Sequence, residues 1–284
     1  MTDYTFKYTT IANPGNLQAQ EAINEGYNVI VPCGGDGTIR SVCCQIAKHN
    51  ANNPDIEVGI VPLGTGNVLA HNLEIPILDT DLAVRMVLHA KSKKFDVGLC
   101  ERKEDAGFEH AFLVIAGAGF DANLVKRTNP KAKKIVGPFA YYYAGIKEAF
   151  RKKPTAELEV TTADDETLTT TSKLRTVMVG NCGRIPGFKL IPDAKYDDGI
   201  LDVAAVDTTA GLLGWMQLGT EIFMQNLGIE NNSKYKIGRI DQIPAKKVTI
   251  KFNHAQQVQL DGDLIGHTKC VTFRVIKHAI NLRF

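Results

Sequence analysis

The chain has 284 residues, of which 44% are hydrophobic and 23% charged, and its formal net charge is +2. This composition is typical of a globular protein with one large or two moderate domains, and it excludes a disordered chain. The net charge is too small to indicate a nucleic-acid partner, and no uninterrupted apolar run is long enough to cross a bilayer. Six scattered cysteines without a CxxC pair predict reduced thiols in a cytoplasmic protein.

The first elements lead to a glycine-rich turn. A short alternating strand is predicted over 4–10, and a helix from about residue 17 to Gly26. Apolar residues at 29–31 predict a short buried strand, which is followed by the sequence Gly-Gly-Asp-Gly-Thr at 34–38. Apolar positions from 39 to 47 have helical spacing, with Thr38 as the predicted N-cap.

A strand, a glycine turn and a helix start form an anion site, because backbone N–H groups and the positive helix end face the same point. We therefore interpret this stretch as a phosphate cradle, although it lacks the Gly-Lys-Ser/Thr of a Walker A loop. A carboxylate in such a cradle would repel phosphate, so Asp36 indicates Mg²⁺ or a hydrogen bond to the ligand. The alternative is an ordinary turn in which Asp36 caps the helix.

A second unit repeats the pattern. A buried strand at 58–62 leads into Leu-Gly-Thr-Gly-Asn at 63–67, and helices are predicted at about 68–73 and 79–88. This βαβα order predicts a parallel sheet covered by helices. Because both glycine turns follow strand carboxyl ends, we expect them to face one cleft.

After Lys94 short alternating segments predominate, which is typical of an antiparallel sandwich or barrel. The predicted strands are 95–100, 111–116, 156–162, 167–171, 174–179, 201–206, 247–252, 257–260 and 271–276, with helices near 139–150 and 212–225. We therefore expect an α/β domain over 1–96 and an all-β sandwich over 97–276. The final segment, 277–284, is expected to return to the first domain.

Five motifs in the same order resemble the diacylglycerol kinase catalytic domain in its bacterial soluble lipid-kinase form, which shares a superfamily with sphingosine kinases and NAD kinases. They are Gly34-Gly35-Asp36-Gly37-Thr38, Pro62-Leu63-Gly64-Thr65-Gly66-Asn67, the stretch from Lys134 to Tyr142, the stretch from Ile191 to Val203, and Leu260-Asp261-Gly262-Asp263. The last three motifs separate lipid kinases from NAD kinases.

The resemblance implies an NAD-kinase-like α/β domain and a β-sandwich, with ATP in the cleft between them. It implies that the nucleotide is surrounded by Gly34, Gly35, Asp36, Gly37, Thr38, Ile39, Arg40, Gly64, Thr65 and Asn67, with Thr10 nearby. It implies a structural Mg²⁺ held by the Lys195 carbonyl, the Asp198 side chain and the Ile200 carbonyl. The acidic pair Asp261 and Asp263 would supply the catalytic base, and Asp36 with Mg²⁺ would neutralise phosphate charge.

Two departures from the family pattern are visible. The family usually begins with a strand ending in Asn-Pro-x-Ser-Gly, and no such element precedes the first glycine turn at the expected distance. We therefore expect a missing first strand, an open sheet edge and a smaller phosphate cradle. The usual Glu of the last motif is Asp263 here, so its carboxylate reaches one methylene less far.

The sequence thus predicts an ATP- and Mg²⁺-dependent kinase that phosphorylates the hydroxyl of diacylglycerol or a related lipid alcohol. Basic clusters at 126–134 and 151–153 around aromatic residues at 139–143 predict peripheral membrane contact of a cytoplasmic enzyme, and an open edge would favour a homodimer. The alternatives are a kinase of a soluble acceptor such as NAD, and a nucleotide-binding module that has lost catalysis. Replacing Asp261 or Asp263 by Asn is expected to abolish turnover without changing the melting temperature.

Overall fold

The computed structural model describes residues 4–51, 56–105, 110–119, 154–174, 176–185, 188–208 and 238–284. The predicted helices near 139–150 and 212–225, the motif at 134–142 and both basic clusters lie outside the described residues. In the part that is described, no helix has the length and apolarity needed to span a bilayer.

The N-terminal part alternates helices with short parallel strands. Its elements are α1 (Asn16–Asn24), β1 (Val29–Ile30), β2 (Cys33–Gly34), α2 (Asp36–Asn50), β3 (Glu57–Gly59), β4 (Val61–Pro62), α3 (Val68–Asn72) and α4 (Thr80–His89). β1 pairs with β3 and β2 pairs with β4, both in parallel. This confirms the predicted α/β class of the N-terminal part.

The rest of the described chain consists mainly of antiparallel strands. They are β5 (Ser92–Arg102), β6 (His110–Phe112), β7 (Ile115–Gly119), β8 (Thr155–Thr162), β9 (Thr167–Lys173), β10 (Thr176–Gly180), β11 (Arg184–Ile185), β12 (Phe188–Lys189), β13 (Leu201–Thr208), β14 (Gly238–Leu260) and β15 (Asp263–Arg283). A short 3₁₀ turn, Lys103–Asp105, follows β5. The predicted all-β class of the C-terminal part is also confirmed.

One continuous sheet joins the two parts. Its main path runs β1-β3-β15-β14-β13-β10-β7, while β5 pairs with β15 and β8 pairs with β14. The last residues of β15, Asn281 to Arg283, pair in parallel with β3, whereas the rest of β15 pairs antiparallel with β14 and β5. Within the described ranges β1 is the edge strand on this side, because it pairs only with β3.

Two apolar cores lie along this sheet. The first contains the inner face of α2 (Ile39, Val42, Cys43, Ile46 and Ala47), packed with β3, β5 and the end of β15. The second fills the sandwich, where Ala156, Leu158 and Val160 of β8 point inward and alternate with more exposed residues. The helical spacing of apolar residues in α2 therefore matches its packing in the first core, and the alternation in β8 matches its packing in the second.

Several predictions of local structure are wrong, among them the strand at 58–62, which is two strands, β3 and β4. Residues 4–10 form no strand; Lys7 and Tyr8 of this segment form hydrogen bonds with side chains of α1 and its C-cap. Thr38 is not the N-cap of α2, because the helix already begins at Asp36 and Gly35 is its N-cap. The predicted strand 111–116 is two strands, β6 and β7, because the backbone between them bends to donate hydrogen bonds to a buried carboxylate, described below.

Candidate active site

Two glycine turns meet backbone to backbone. β2 and β4 pair in parallel with Cys33 opposite Val61, and each strand leads into one of the turns. A Cβ placed on Gly64 would lie 2.5 Å from the Cα of Gly35, so this approach requires a glycine at position 64. The sheet therefore places both turns side by side at the carboxyl ends of the two strands.

Asp36 connects the two turns. Its Oδ1 accepts a hydrogen bond of 2.7 Å from the N–H of Val68, the first residue of α3. Its Oδ2 borders the second turn, since a Cβ placed on Gly66 would lie 2.9 Å from that oxygen. Asp36 thus caps a helix, as the alternative interpretation held, but the helix is α3 and not α2.

Asn67 closes the second turn from within. It is 4% exposed, and its φ of 45° lies in the left-handed region. Its side-chain amide accepts a hydrogen bond of 2.9 Å from the N–H of Gly64 and donates one of 2.8 Å to the carbonyl of the same residue. The side chain therefore shapes the turn, and Thr65 and Gly66 form the exposed surface of that turn.

The start of α2 is open toward the turns. Its N-cap is Gly35 and no side chain caps it, so the first N–H groups of this 15-residue helix have no side-chain acceptor there. Thr38 packs on the first turn, where a Cβ on Gly34 would lie 3.0 Å from it. Helix N-termini of this kind bind anions through backbone N–H groups and the helix dipole.

Arg40 joins the start of α2 to the hairpin between β14 and β15. Its guanidinium donates one hydrogen bond to the carbonyl of Leu260 and another, of 2.6 Å, to the Oδ2 of Asp263. A Cβ placed on Gly37 would lie 3.6 Å from that same Oδ2. The carboxylate of Asp263, which is 59% exposed, is therefore held against the first turn of α2.

Asp261 has a different environment, although only Gly262 separates it from Asp263. Its carboxylate accepts hydrogen bonds from the N–H groups of Leu113, Val114 and Ile115 at 2.8, 2.9 and 3.0 Å. Burial raises the pKa of this carboxyl group, and the nearby Arg40 and the three N–H donors offset part of that effect. Asp261 therefore holds β6, β7 and the hairpin together.

Two of the residues predicted to surround the nucleotide have side chains that are engaged elsewhere. Ile39 is fully buried in the first core, and its N–H donates to the carbonyl of Gly35 inside the helix. Thr10 is exposed and forms a small turn with Asn13, in which each residue donates its N–H to the other. Apart from the backbone bond between Ile39 and Gly35, no described hydrogen bond joins either residue to the glycine turns.

The predicted metal segment follows β12 in a loop. Asp198 accepts a hydrogen bond of 3.0 Å from the N–H of Ile200, and Lys195 is exposed. Burial, together with the carboxylates of Asp198 and Asp193, raises the pKa of Asp202 to about 6, so the segment has a negative potential. Within the described ranges, no three His, Cys, Asp or Glu side chains converge as metal ligands. An ion in this loop would therefore be held by one carboxylate and backbone carbonyls. Oxygen donors of this kind suit Mg²⁺.

The sequence analysis missed the residue that anchors this loop. Asp96 is fully buried and accepts hydrogen bonds of 2.6 Å from the N–H groups of Gly199 and His278. Its own N–H donates to the carbonyl of Tyr196. The sequence contains a signal for this role, since Asp96 is the single carboxylate in an otherwise apolar stretch of β5. A charge buried in such a stretch requires hydrogen-bond partners.

The chain matches two family models. Residues 2–100 match the diacylglycerol kinase catalytic domain, and residues 114–283 match the YegS C-terminal NAD kinase beta sandwich-like domain. A diacylglycerol kinase of Staphylococcus aureus (strain JH9) is 31% identical over 251 residues, which are 88% of this chain and 72% of that protein.

Solved structures share the fold. A diacylglycerol kinase from Bacillus anthracis str. Sterne superposes with a TM-score of 0.70 at 21% identity, covering 98% of this chain and 84% of that one. A further structure, of a putative diacylglycerol kinase from the same organism, gives a TM-score of 0.68 at 22% identity and covers 95% and 82% of the two chains. The two-part architecture described above is therefore a recurrent one.

Proposed function

This chain belongs to the diacylglycerol kinase family, and from that premise we propose that it transfers the γ-phosphoryl group of ATP to the hydroxyl of diacylglycerol or a related lipid alcohol. Membership of the family makes the chain a kinase with an alcohol acceptor. The identity of the acceptor, the use of ATP and the roles of individual residues are parts of the proposal.

The observation that carries the proposal is the position of Asp263. Asp263 belongs to the C-terminal part, yet its carboxylate lies close to Gly37 in the first turn of α2. A Cβ placed on Gly37 would lie 3.6 Å from the Oδ2 of Asp263. A base must lie within hydrogen-bond reach of the hydroxyl that attacks the phosphate. The start of α2 can bind the phosphate, and the half-exposed carboxylate of Asp263 beside it can accept the proton of the hydroxyl.

The residues divide the reaction between them. The N–H groups at the start of α2 and in the second turn bind the phosphate oxygens. Asp263 accepts the proton of the acceptor hydroxyl as the hydroxyl oxygen bonds to the γ-phosphorus, and the bond from that phosphorus to the bridging oxygen breaks, so that ADP leaves. Arg40 holds the carboxylate in place, and Asp261 fixes the hairpin that carries it.

Magnesium is proposed at two places. The Oδ2 of Asp36 borders the second turn and would face an ion bound to the phosphates, where Mg²⁺ would neutralise the developing charge. A second, structural ion would use Lys195, Asp198 and Ile200, and the negative potential around Asp202 supports a cation there. Titrating the protein with Mg²⁺ in the absence of ATP should raise its melting temperature in wild type but not in Asp198→Asn.

Peripheral membrane contact is supported by the extended N-terminal segment. Tyr4, Phe6 and Tyr8 are 76%, 73% and 85% exposed, while the intervening Thr5 and Lys7 are tied by side-chain hydrogen bonds to the region of α1. The three aromatic rings are therefore open to solvent, and such rings favour the bilayer interface.

Flotation with vesicles that contain diacylglycerol tests this contact. Replacing the three aromatic residues by Ser should lower the vesicle-bound fraction, whereas Leu78→Ser, at another highly exposed apolar position, should leave it unchanged. Equal flotation of both variants would contradict the membrane role.

Pairing of two copies at the edge strand β1 stays a prediction, which sedimentation can check.

The main experiment offers labelled ATP together with dioctanoylglycerol in micelles or with NAD. Label in the lipid alone supports the proposal. Label in NAD alone would identify a kinase of a soluble acceptor, and ATP binding in calorimetry without transfer to either acceptor would identify a nucleotide-binding module. The anion-binding site at the start of α2 is shared by all three outcomes, so the acceptor decides between them.

A further inference from the structure

A cleft of about 420 Å³ runs along one side of α2, where it is lined by residues 37, 40, 41, 44, 45 and 48. Spacings of three and four residues mark one face of a helix. At 1.5 Å per residue, the stretch from 37 to 48 corresponds to a length of roughly 16 Å. The cleft therefore follows the helix over about three turns.

Carbon atoms provide most of the walls opposite the helix. The segment before α1 contributes Ala12 and Pro14, and the C-terminal part contributes Ala111, Leu260 and Ile265. On the helix itself, burial raises the pKa of the Cys44 thiol, so this group is neutral and behaves as a small apolar side chain. The cleft thus offers an apolar surface on three sides.

Most polar side chains of the lining already have partners in the protein. The guanidinium of Arg40 is bound to the hairpin, and the amide of Gln45 donates a hydrogen bond to a side chain of α1. The ring of His110 lies 3.1 Å from the carboxylate of Asp105. Lys48 is exposed at the far end and also has an interaction partner. Hydrocarbon entering the cleft would therefore not deprive these groups of their hydrogen bonds, which is the usual cost of burying polar atoms.

One end of the cleft reaches the proposed reacting centre. Gly37 and Arg40 line the cleft, and both lie against the carboxylate of Asp263, at the end of α2 that faces the glycine turns. A lipid alcohol whose hydroxyl meets this carboxylate therefore has the cleft beside it, along the helix, for its hydrocarbon.

The cleft also lies close in the chain to the proposed membrane contact. The wall residue Ala12 belongs to the same N-terminal segment as the three exposed aromatic residues, the last of which is Tyr8. Four positions separate Tyr8 from Ala12, which is at most about 14 Å of extended chain. Binding of these rings to a bilayer would thus bring this wall of the cleft near the membrane surface, where an acyl chain can enter it.

We infer that the α2 cleft binds one acyl chain of the acceptor lipid, extended along the helix with the hydroxyl at Asp263. This inference rests on the proposed function and specifies how that function selects its substrate. Because a carbon–carbon bond is about 1.5 Å long, an extended chain of about a dozen carbons matches the length of the cleft. The enzyme then distinguishes acceptors by the length of this chain.

Binding of monoacylglycerols in the absence of ATP tests the inference. Calorimetry compares 1-hexanoylglycerol with 1-decanoylglycerol, which has four more methylene groups, at concentrations too low for micelles. Each fully buried methylene group tightens binding by up to about fourfold, so the decanoyl compound should bind at least about tenfold more tightly. Equal affinities for the two compounds, or no binding of either, would overturn the inference.

Filling the cleft shows whether this preference arises there. In Ser41→Phe the added ring occupies the middle of the cleft, so the preference for the decanoyl chain should fall below about threefold. The smaller variant Ser41→Asp should have the same effect, because the chain would remove its carboxylate from water. Ser41→Ala, which loses only the hydroxyl, should keep the wild-type preference.

The matched control is Val84→Phe, which adds the same type of ring to an exposed position of α4 outside the cleft. It should bind both monoacylglycerols as the wild type does, and melting temperatures establish that the variants are folded. A wild-type preference in both Ser41→Phe and Ser41→Asp, or an equal loss in Val84→Phe, shows that the chain binds elsewhere and the inference is wrong.

Kinetics separate this inference from the proposed kinase activity. Ser41→Phe should raise the KM for didecanoylglycerol at least about tenfold and leave the KM for ATP within about twofold, because the anion site lies beyond the end of the helix. Chain-length-dependent binding that Ser41→Phe removes supports the cleft even if the wild type transfers no phosphate to lipid. Transfer to lipid without such binding overturns the cleft and leaves the proposed function standing.

Discussion

The two halves of the candidate site differ in whether backbone or side-chain atoms form their surface. The N-terminal half is a backbone surface: two glycine turns and an uncapped helix start, whose side chains Asp36 and Asn67 mainly hold the turns in shape. The C-terminal half is a side-chain surface, in which Asp263 contacts the helix and Asp261 is bound to the backbone N–H groups of residues 113–115. Adding atoms should therefore damage the first half, and removing a carboxylate should damage the second.

The two aspartates of the hairpin show how strongly the environment decides a role. They are separated by one residue, but one carboxylate is 59% exposed and the other accepts three backbone hydrogen bonds in a partly buried position. A base must exchange protons with a substrate, whereas a buried anchor must stay fixed. We therefore propose Asp263 as the base and Asp261 as the anchor.

The largest effect is expected for Asp263→Asn. Loss of a positioned base should lower kcat by about 10²–10⁴-fold, while the exposed position predicts an unchanged melting temperature. Steady-state kinetics with dioctanoylglycerol and thermal unfolding measure the two quantities. Asp165→Asn, another exposed aspartate paired with a cation, is the control and should keep full activity. Full activity of Asp263→Asn would show that Asp263 is not the base.

Asp261→Asn should act on stability. An amide has one oxygen where the carboxylate has two, so it cannot accept all three hydrogen bonds, and the free energy of unfolding should fall by about 2–4 kcal/mol. This prediction differs from the sequence-based expectation that either aspartate can be replaced by Asn without a change in melting temperature. Urea denaturation measures the change, and a stability equal to that of Asp263→Asn would contradict the buried role.

Gly64→Ala tests the backbone half of the site. The new Cβ would lie 2.5 Å from the Cα of Gly35, so the turns must separate. Overpacking of this kind costs about 1–3 kcal/mol, and the KM for ATP should rise because the N–H groups move. Gly37→Ala is the steric control for stability alone, since its Cβ would lie at an ordinary 3.6 Å from Asp263. Equal stability losses in the two variants would show that close packing of the turns is not required.

The smallest effect concerns the joint between β3 and β15. Glu57 accepts hydrogen bonds of 2.6 Å from Ser92 and from Arg283, and these contacts lower the pKa of its carboxyl group. The resulting stability is present above the unfolded pKa of about 4.3 and is lost as pH falls through the lower folded pKa.

Glu57→Gln should therefore reduce the free energy of unfolding by about 0.5–1 kcal/mol at pH 7, and should weaken its dependence on pH below about 4.5. Urea denaturation at pH 7 and pH 4 measures both effects. Glu74→Gln, at a more exposed ion pair, is the control and should change neither. An unchanged pH dependence in Glu57→Gln would show that this ion pair does not link the two parts.

Much of the architecture could be predicted from the sequence because it depends on local periodicity. The spacing of Ile39, Val42 and Ile46 predicted α2, and the alternation of Ala156, Leu158 and Val160 predicted β8. The glycine turns could also be predicted, since a run of glycines after a buried strand has few other uses. In contrast, the aromatic alternation at 4–10 does not form a strand, because the described chain offers it no pairing partner.

The sequence by itself determined the two fold classes, the two glycine turns and the presence of an acidic hairpin, because these depend on residue type and short-range spacing. Only the tertiary structure decided that Asp36 caps α3, that Arg40 holds Asp263 and that Asp261 accepts the backbone hydrogen bonds of residues 113–115. Those roles depend on contacts between residues far apart in the chain, such as the 223 positions between Arg40 and Asp263. No local pattern records such contacts, because burial and hydrogen-bond partners arise only when the two parts pack together.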